Sequence, residues 1–68
     1  METDEIREQL TAVRDRLVEM TAEADALTNE APPRYASRLS YIVDDLHRAT
    51  GSANACLSAL DKTENPDR

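Results

Sequence analysis

Apolar residues recur at alternating steps of four and three along two long segments of the chain, which Pro32 and Pro33 separate. In the first segment they fill seven successive a and d positions of a heptad: Ile6, Leu10, Val13, Leu17, Met20, Ala24 and Leu27. This repeat is typical of a helix that packs in a bundle or coiled coil. Neither glycine nor proline interrupts it, so the pattern predicts one helix over residues 4–28.

The second segment carries the same repeat and has a wider apolar face. Its a and d positions are Tyr35, Leu39, Ile42, Leu46, Ala49, Ala53, Cys56 and Leu60. Its e positions, also mainly apolar, are Ala36, Val43, Thr50 and Leu57. Three positions in seven make a face broader than a two-stranded seam needs. The pattern predicts a helix over residues 33–62 and favours its continuing through Gly51, although a break at that glycine stays open.

Residues 29–33 predict a tight turn between the two helices. Ala31 and Pro32 each precede a proline, which disfavours helical dihedrals, and Pro33 suits the first turn of a helix. Because short connections make helices antiparallel neighbours, the expected fold is all-α, an antiparallel two-helix hairpin. Residues 1–68 form a single domain in this interpretation, with a disordered tail at 63–68.

The size and residue content of the chain favour self-association. Chains below ~70–80 residues usually gain stability from disulfides, a metal or oligomerisation. This chain has 68 residues, one cysteine and one histidine, so we expect neither an intrachain disulfide nor a structural metal site. We predict a homodimer that forms a four-helix bundle. The expected self-association interface consists of Ala36, Val43, Thr50 and Leu57 on the second helix and Val18 on the first.

Charge is distributed unevenly and limits the kinds of partner. The formal net charge is −6, and residues 1–31 carry all of it, because residues 32–68 hold five acidic and five basic side chains. An acidic chain repels phosphates, so we expect no direct nucleic-acid binding. Its apolar runs are far shorter than the ~18 residues of a membrane span. With a lone cysteine and no signal-like N-terminus, a cytoplasmic location is expected.

The chain offers little that resembles catalytic chemistry. Asp44, Asp45 and His47 form the only cluster of acids with a histidine, and the heptad turns Asp44 and His47 towards solvent. There is no Gly-rich phosphate loop and no nucleophile constellation. We therefore predict that the chain is not an enzyme and that it has no catalytic residues, no cofactor and no metal site.

Exposed tyrosine and arginine side chains are enriched in binding hot spots. The candidate partner-docking surface, which combines such residues with acids of the first helix, consists of Arg34, Arg38, Tyr41, Glu19 and Glu23. The leading hypothesis is a non-enzymatic protein–protein interaction module, namely a small regulator, inhibitor or adaptor of the kind that phages and mobile elements encode. The alternatives are a structural assembly scaffold and an acidic DNA mimic that blocks a DNA-binding protein.

Overall fold

The computed structural model describes residues 2–64, and the side chains of residues 2–62. It contains two helices, α1 over Thr3–Glu30 and α2 over Pro33–Glu64. Residues near the start of α1 contact residues near the end of α2, so the helices are antiparallel. The described part of the chain contains no strand. The predicted all-α, antiparallel two-helix hairpin is therefore confirmed.

Helix α1 begins one residue earlier than predicted because its first turn is capped by its own acidic side chains. The Glu2 backbone N–H donates a hydrogen bond to Glu5 Oε1 at 3.1 Å, which is one half of a capping box. Asp4 and Glu5 also place negative charge at the positive end of the helix dipole.

The connection between the helices is Ala31-Pro32, two residues long and shorter than the predicted turn at 29–33. Helix α1 continues through Asn29 and Glu30, because only the residue directly before a proline must leave the helical region. Ala31 does so, with φ −76° and ψ 151°, while its N–H still donates to the Leu27 carbonyl at 2.9 Å. The first proline therefore sets the end of α1.

Helix α2 runs without interruption through Gly51. Gly51 has no positive φ, and a Cβ at this position would meet nothing within 4 Å. The helix ends at Glu64, two residues beyond its predicted end, and residues 65–68 of the predicted tail lie outside the described part of the chain.

Gly51→Ala is expected to stabilise the protein. Alanine loses less backbone entropy than glycine on entering a helix, and nothing obstructs the added methyl group. The gain should be ~0.5–1 kcal/mol, which raises the melting temperature by roughly 2–8 °C in circular dichroism. The reciprocal change Ala55→Gly, at an exposed position of the same helix, should lower it by a similar amount. A lower melting temperature for Gly51→Ala would argue that α2 is broken at residue 51.

The seam between the helices is formed by the a and e heptad positions of both. These positions are half-buried throughout, and Ala53, at 7% exposed, is the most buried residue described. Two polar contacts cross the same edge of the seam one heptad apart: Arg7 Nη2 lies 3.1 Å from Asp61 Oδ1, and Arg14 Nη1 lies 3.1 Å from Asn54 Oδ1. Their equal spacing on both helices shows that the register stays constant along the pair.

Threonines occupy three of the e positions in this seam without leaving their hydroxyls unpaired. Thr21, Thr28 and Thr50 each donate to the backbone carbonyl four residues earlier, at 2.6–2.8 Å. A hydroxyl that donates to its own helix has its hydrogen bond satisfied within that helix. These residues can therefore lie in the seam without needing a partner on the other helix.

Candidate interaction surface

The d positions of both helices stay exposed although they carry large apolar side chains. We call this set the d face: Ile6, Val13, Met20, Leu27, Tyr35, Ile42 and Cys56. Val13 is 48% exposed and Ile42 49%, and the remaining d position, Ala49, is half-buried. Residues of this size are normally buried in a folded core. The hairpin therefore covers only part of its apolar surface.

The d residues of α1 and α2 lie on the same side of the hairpin. In each helix the d position flanks the seam on one side and the b position flanks it on the other. Asp61 and Asn54, which the two arginines of α1 contact, are both b positions of α2. The b flanks of both helices thus share one side, and the opposite side carries both rows of d residues as one apolar surface.

The hairpin is more elongated and exposes more surface than a compact protein of its mass. The hairpin exposes 5325 Å², whereas a compact monomer of 7.6 kDa would expose about 4300 Å². Its radius of gyration is 15.7 Å, against about 11 Å for a compact domain of this length. A standard protein interface buries ~800 Å² on each partner. The broad side of the hairpin, 52 by 19 Å, is large enough for such an interface.

Charged residues at the c and g positions border the d face, with opposite net charge on the two helices. The acidic rim, on α1, consists of Arg16, Glu19, Glu23 and Glu30, with net charge −2. The basic rim, on α2, consists of Arg34, Arg38, Asp45 and Arg48, with net charge +2. All eight side chains are exposed. Both rims are defined in the half of the hairpin next to the turn, and the other charged c residues, Glu5 and Lys62, lie at the opposite end.

The five residues predicted to dock a partner all lie on these rims or between their members. Tyr41 is the most exposed of the large apolar and aromatic side chains, at 67%, and occupies a c position within the basic rim. The Arg34 guanidinium lies 4.9 Å from the centre of the Tyr35 ring, and Arg48 Nη1 lies 3.6 Å from Asp45 Oδ1. The structure brings Arg34, Arg38 and Tyr41 to one edge of the d face and Glu19 and Glu23 to the other.

The residues predicted for self-association lie elsewhere. The e positions Ala36, Val43, Thr50 and Leu57 are half-buried in the seam between α1 and α2, and so do not form the exposed apolar surface of the hairpin. Val18 is 50% exposed but occupies a b position, on the side opposite the d face. The half-buried positions of the seam are a and e on both helices, so the d positions, which the same heptad pattern marks as apolar, lie outside it.

A shallow groove of about 290 Å³ lies on the b side. Its walls are Val18, Thr21, Ala22, Asp25, His47 and Thr50. His47 and the neighbouring Asp44 are exposed, and Asp45 pairs with Arg48. Within the described residues, no three histidine, cysteine, aspartate or glutamate side chains come close enough to hold a metal ion. This side therefore presents an open surface with dispersed polar groups.

The fold and its surface define the molecule as a two-helix hairpin with one uncovered apolar side. Comparison with protein families, with curated proteins and with solved structures finds no match. Across the described residues, neither helix has a stretch with the length and apolar character needed to cross a membrane.

Proposed function

We propose that this chain is a non-enzymatic protein-interaction module that acts as a homodimer, in which two hairpins pack their d faces together as a four-helix bundle. The observation that carries the proposal is the d face itself. Monomeric soluble proteins rarely expose a contiguous apolar patch of more than a few hundred Å². A second hairpin supplies two further helices, which is what a bundle core requires.

The distribution of polar groups supports a binding role over a catalytic one. Catalytic acids and bases work in enclosed pockets that desolvate them and hold them in fixed geometry. In this hairpin the acid and histidine side chains of α2 are exposed, and the groove that includes Asp25 and His47 is open to solvent. Surfaces of this kind suit contact with another macromolecule.

The outward side of α1 gives the dimer a second surface, which is what a regulator or adaptor needs. Glu8 and Asp15 occupy the outermost f positions of α1 and are exposed. When the d faces are covered, this acidic side stays accessible to a basic protein surface. A dimer that binds no further protein would instead be an assembly scaffold.

The dimer is tested by light scattering over a range of protein concentrations. The expected mass is twice the 7.6 kDa of the chain, falling towards the monomer on dilution. Cys56 gives an independent measurement, because its thiol is exposed on the d face of the hairpin and becomes covered in the dimer. Its reaction with a thiol reagent should slow as protein concentration rises. A monomer mass at the highest concentration, with a reaction rate independent of concentration, would contradict the proposal.

A further inference from the structure

We infer that the d face accepts a second copy of this chain in one orientation, with α1 of each hairpin on α2 of the other and both Ala31-Pro32 turns at the same end of the bundle. This inference rests on the proposed homodimer and specifies its geometry. It assigns the charged rims of the d face to contact between the two copies.

Twofold symmetry allows two ways to place one broad side on the other. With the axis parallel to the helices, α1 lies on α2 of the partner and the turns coincide at one end. With the axis across the helices, α1 lies on α1, α2 lies on α2, and the turns are at opposite ends. Both arrangements cover the d face, so burial of the apolar residues does not distinguish between them.

The charges of the two rims favour the first arrangement. The acidic rim spans residues 16–30 and the basic rim residues 34–48, so both begin at the turn and extend over about the same length of helix. An axis parallel to the helices permits no sliding, because each residue stays at its own level. Each acidic rim, with net charge −2, then lies along a basic rim of net charge +2, on both edges of the interface.

The second arrangement leaves both rims without a complementary surface. It places the acidic rim on the first half of the partner's α1, where the charged c and g residues, Glu5 and Arg16, cancel. It places the basic rim on the last half of the partner's α2, whose c and g positions are Ser52, Ala55, Ala59 and Lys62. Complementary potentials fix orientation in protein interfaces, and like charges placed together exclude the wrong one. The charge pattern therefore favours α1 on α2.

A charge-exchange experiment tests this orientation. One variant carries Arg34→Glu with Arg38→Glu, which makes both of its rims net −2. The other carries Glu19→Lys with Glu23→Lys, which makes both of its rims net +2. Each alone should dimerise at least tenfold more weakly than the original chain at low salt, whereas an equimolar mixture should form a heterodimer within tenfold of the original affinity. Unchanged homodimers, or a mixture that does not pair, would overturn the inferred orientation.

A distance measurement tests the same orientation with the rims intact. Ser37 is exposed at an f position of α2 near the turn, so Ser37→Cys in a Cys56→Ser background accepts a spin label away from the interface. With the turns together, the labels in the dimer should lie no farther apart than the width of a four-helix bundle, roughly 25–30 Å. With the turns at opposite ends, the two labels would be separated by about 23 residues of helix, ~35 Å, along the bundle in addition to its width. A separation of ~40 Å or more, in a sample of dimer mass, would overturn the orientation and leave the dimer standing. A monomer mass for the original chain would overturn both.

Discussion

Val13→Asp should convert the dimer into a monomer, while Val18→Asp should leave it dimeric. Val13 is 48% exposed in the hairpin, so an aspartate there is tolerated by the free chain. In the proposed dimer the same carboxylate would be buried without a partner in the core between two d faces. An unpaired buried charge costs several kcal/mol, so dimer affinity should fall at least a hundredfold. Sedimentation or light scattering of the purified variants measures this.

Val18 is a closely matched control. It has the same side chain, lies on the same helix and is 50% exposed, but it faces the b side. Circular dichroism should show similar helix content for both variants, so that the difference in mass reports assembly and not folding. If Val18→Asp dissociates the dimer and Val13→Asp does not, the interface lies on the b side of the hairpin.

Pro32→Ala combined with Pro33→Ala should turn the hairpin into one long helix. Pro32 holds Ala31 at ψ 151°, and neither proline has the backbone N–H that a continuous helix would use to join α1 to α2. Without them, helix can continue from residue 3 to residue 64, a length of about 90 Å. Two such chains, aligned antiparallel, can re-form the seam between α1 of one and α2 of the other. Small-angle X-ray scattering should therefore show a longest dimension well above the 52 Å of the hairpin.

The single change Pro33→Ala provides the control for this experiment. It keeps Pro32, which still excludes helical dihedrals at Ala31, so the turn and the compact dimensions should remain. If the double variant also kept its compact dimensions, the packing of α1 on α2 would be shown to hold the turn without help from proline.

The sequence predicts the two helices and the hairpin well because periodicity reports directly on which side of a helix is apolar. Leu17 and Leu46, at a positions, lie in the seam as that pattern requires. The ends are less predictable. Asn29 resembles a helix terminator, yet α1 passes through it, since the dihedral restriction imposed by Pro32 acts only on Ala31.

The sequence does not predict which part of its apolar face each helix packs against the other helix. On α1 the e positions are Arg7, Arg14, Thr21 and Thr28, which made a seam of a and d residues the natural expectation. In the structure the arginines reach α2 side chains with their charged ends, and long aliphatic stems can line an apolar surface. The d residues are thereby left free.

The candidate site was likewise only partly predictable from the sequence. Residue type alone singled out Tyr41, Arg38 and Glu23 as candidates for docking. That they border one apolar surface, on opposite edges, depends on the antiparallel packing and on which flank of each helix stays open. A heptad assignment made for each helix separately does not give the packing direction or the flank that stays open.

The polar e positions of α1 also bear on how the chain holds together when it is dilute. Arginine and threonine in the seam supply less apolar burial than the leucine, isoleucine, valine and methionine that remain on the d face. In the proposed dimer, much of the stabilising burial is then made between chains and not within one. Folding and assembly become linked by mass action, so the melting temperature depends on the protein concentration as well as on the sequence. Dilution should therefore lower the melting temperature of this protein, because it releases hairpins whose d faces are uncovered.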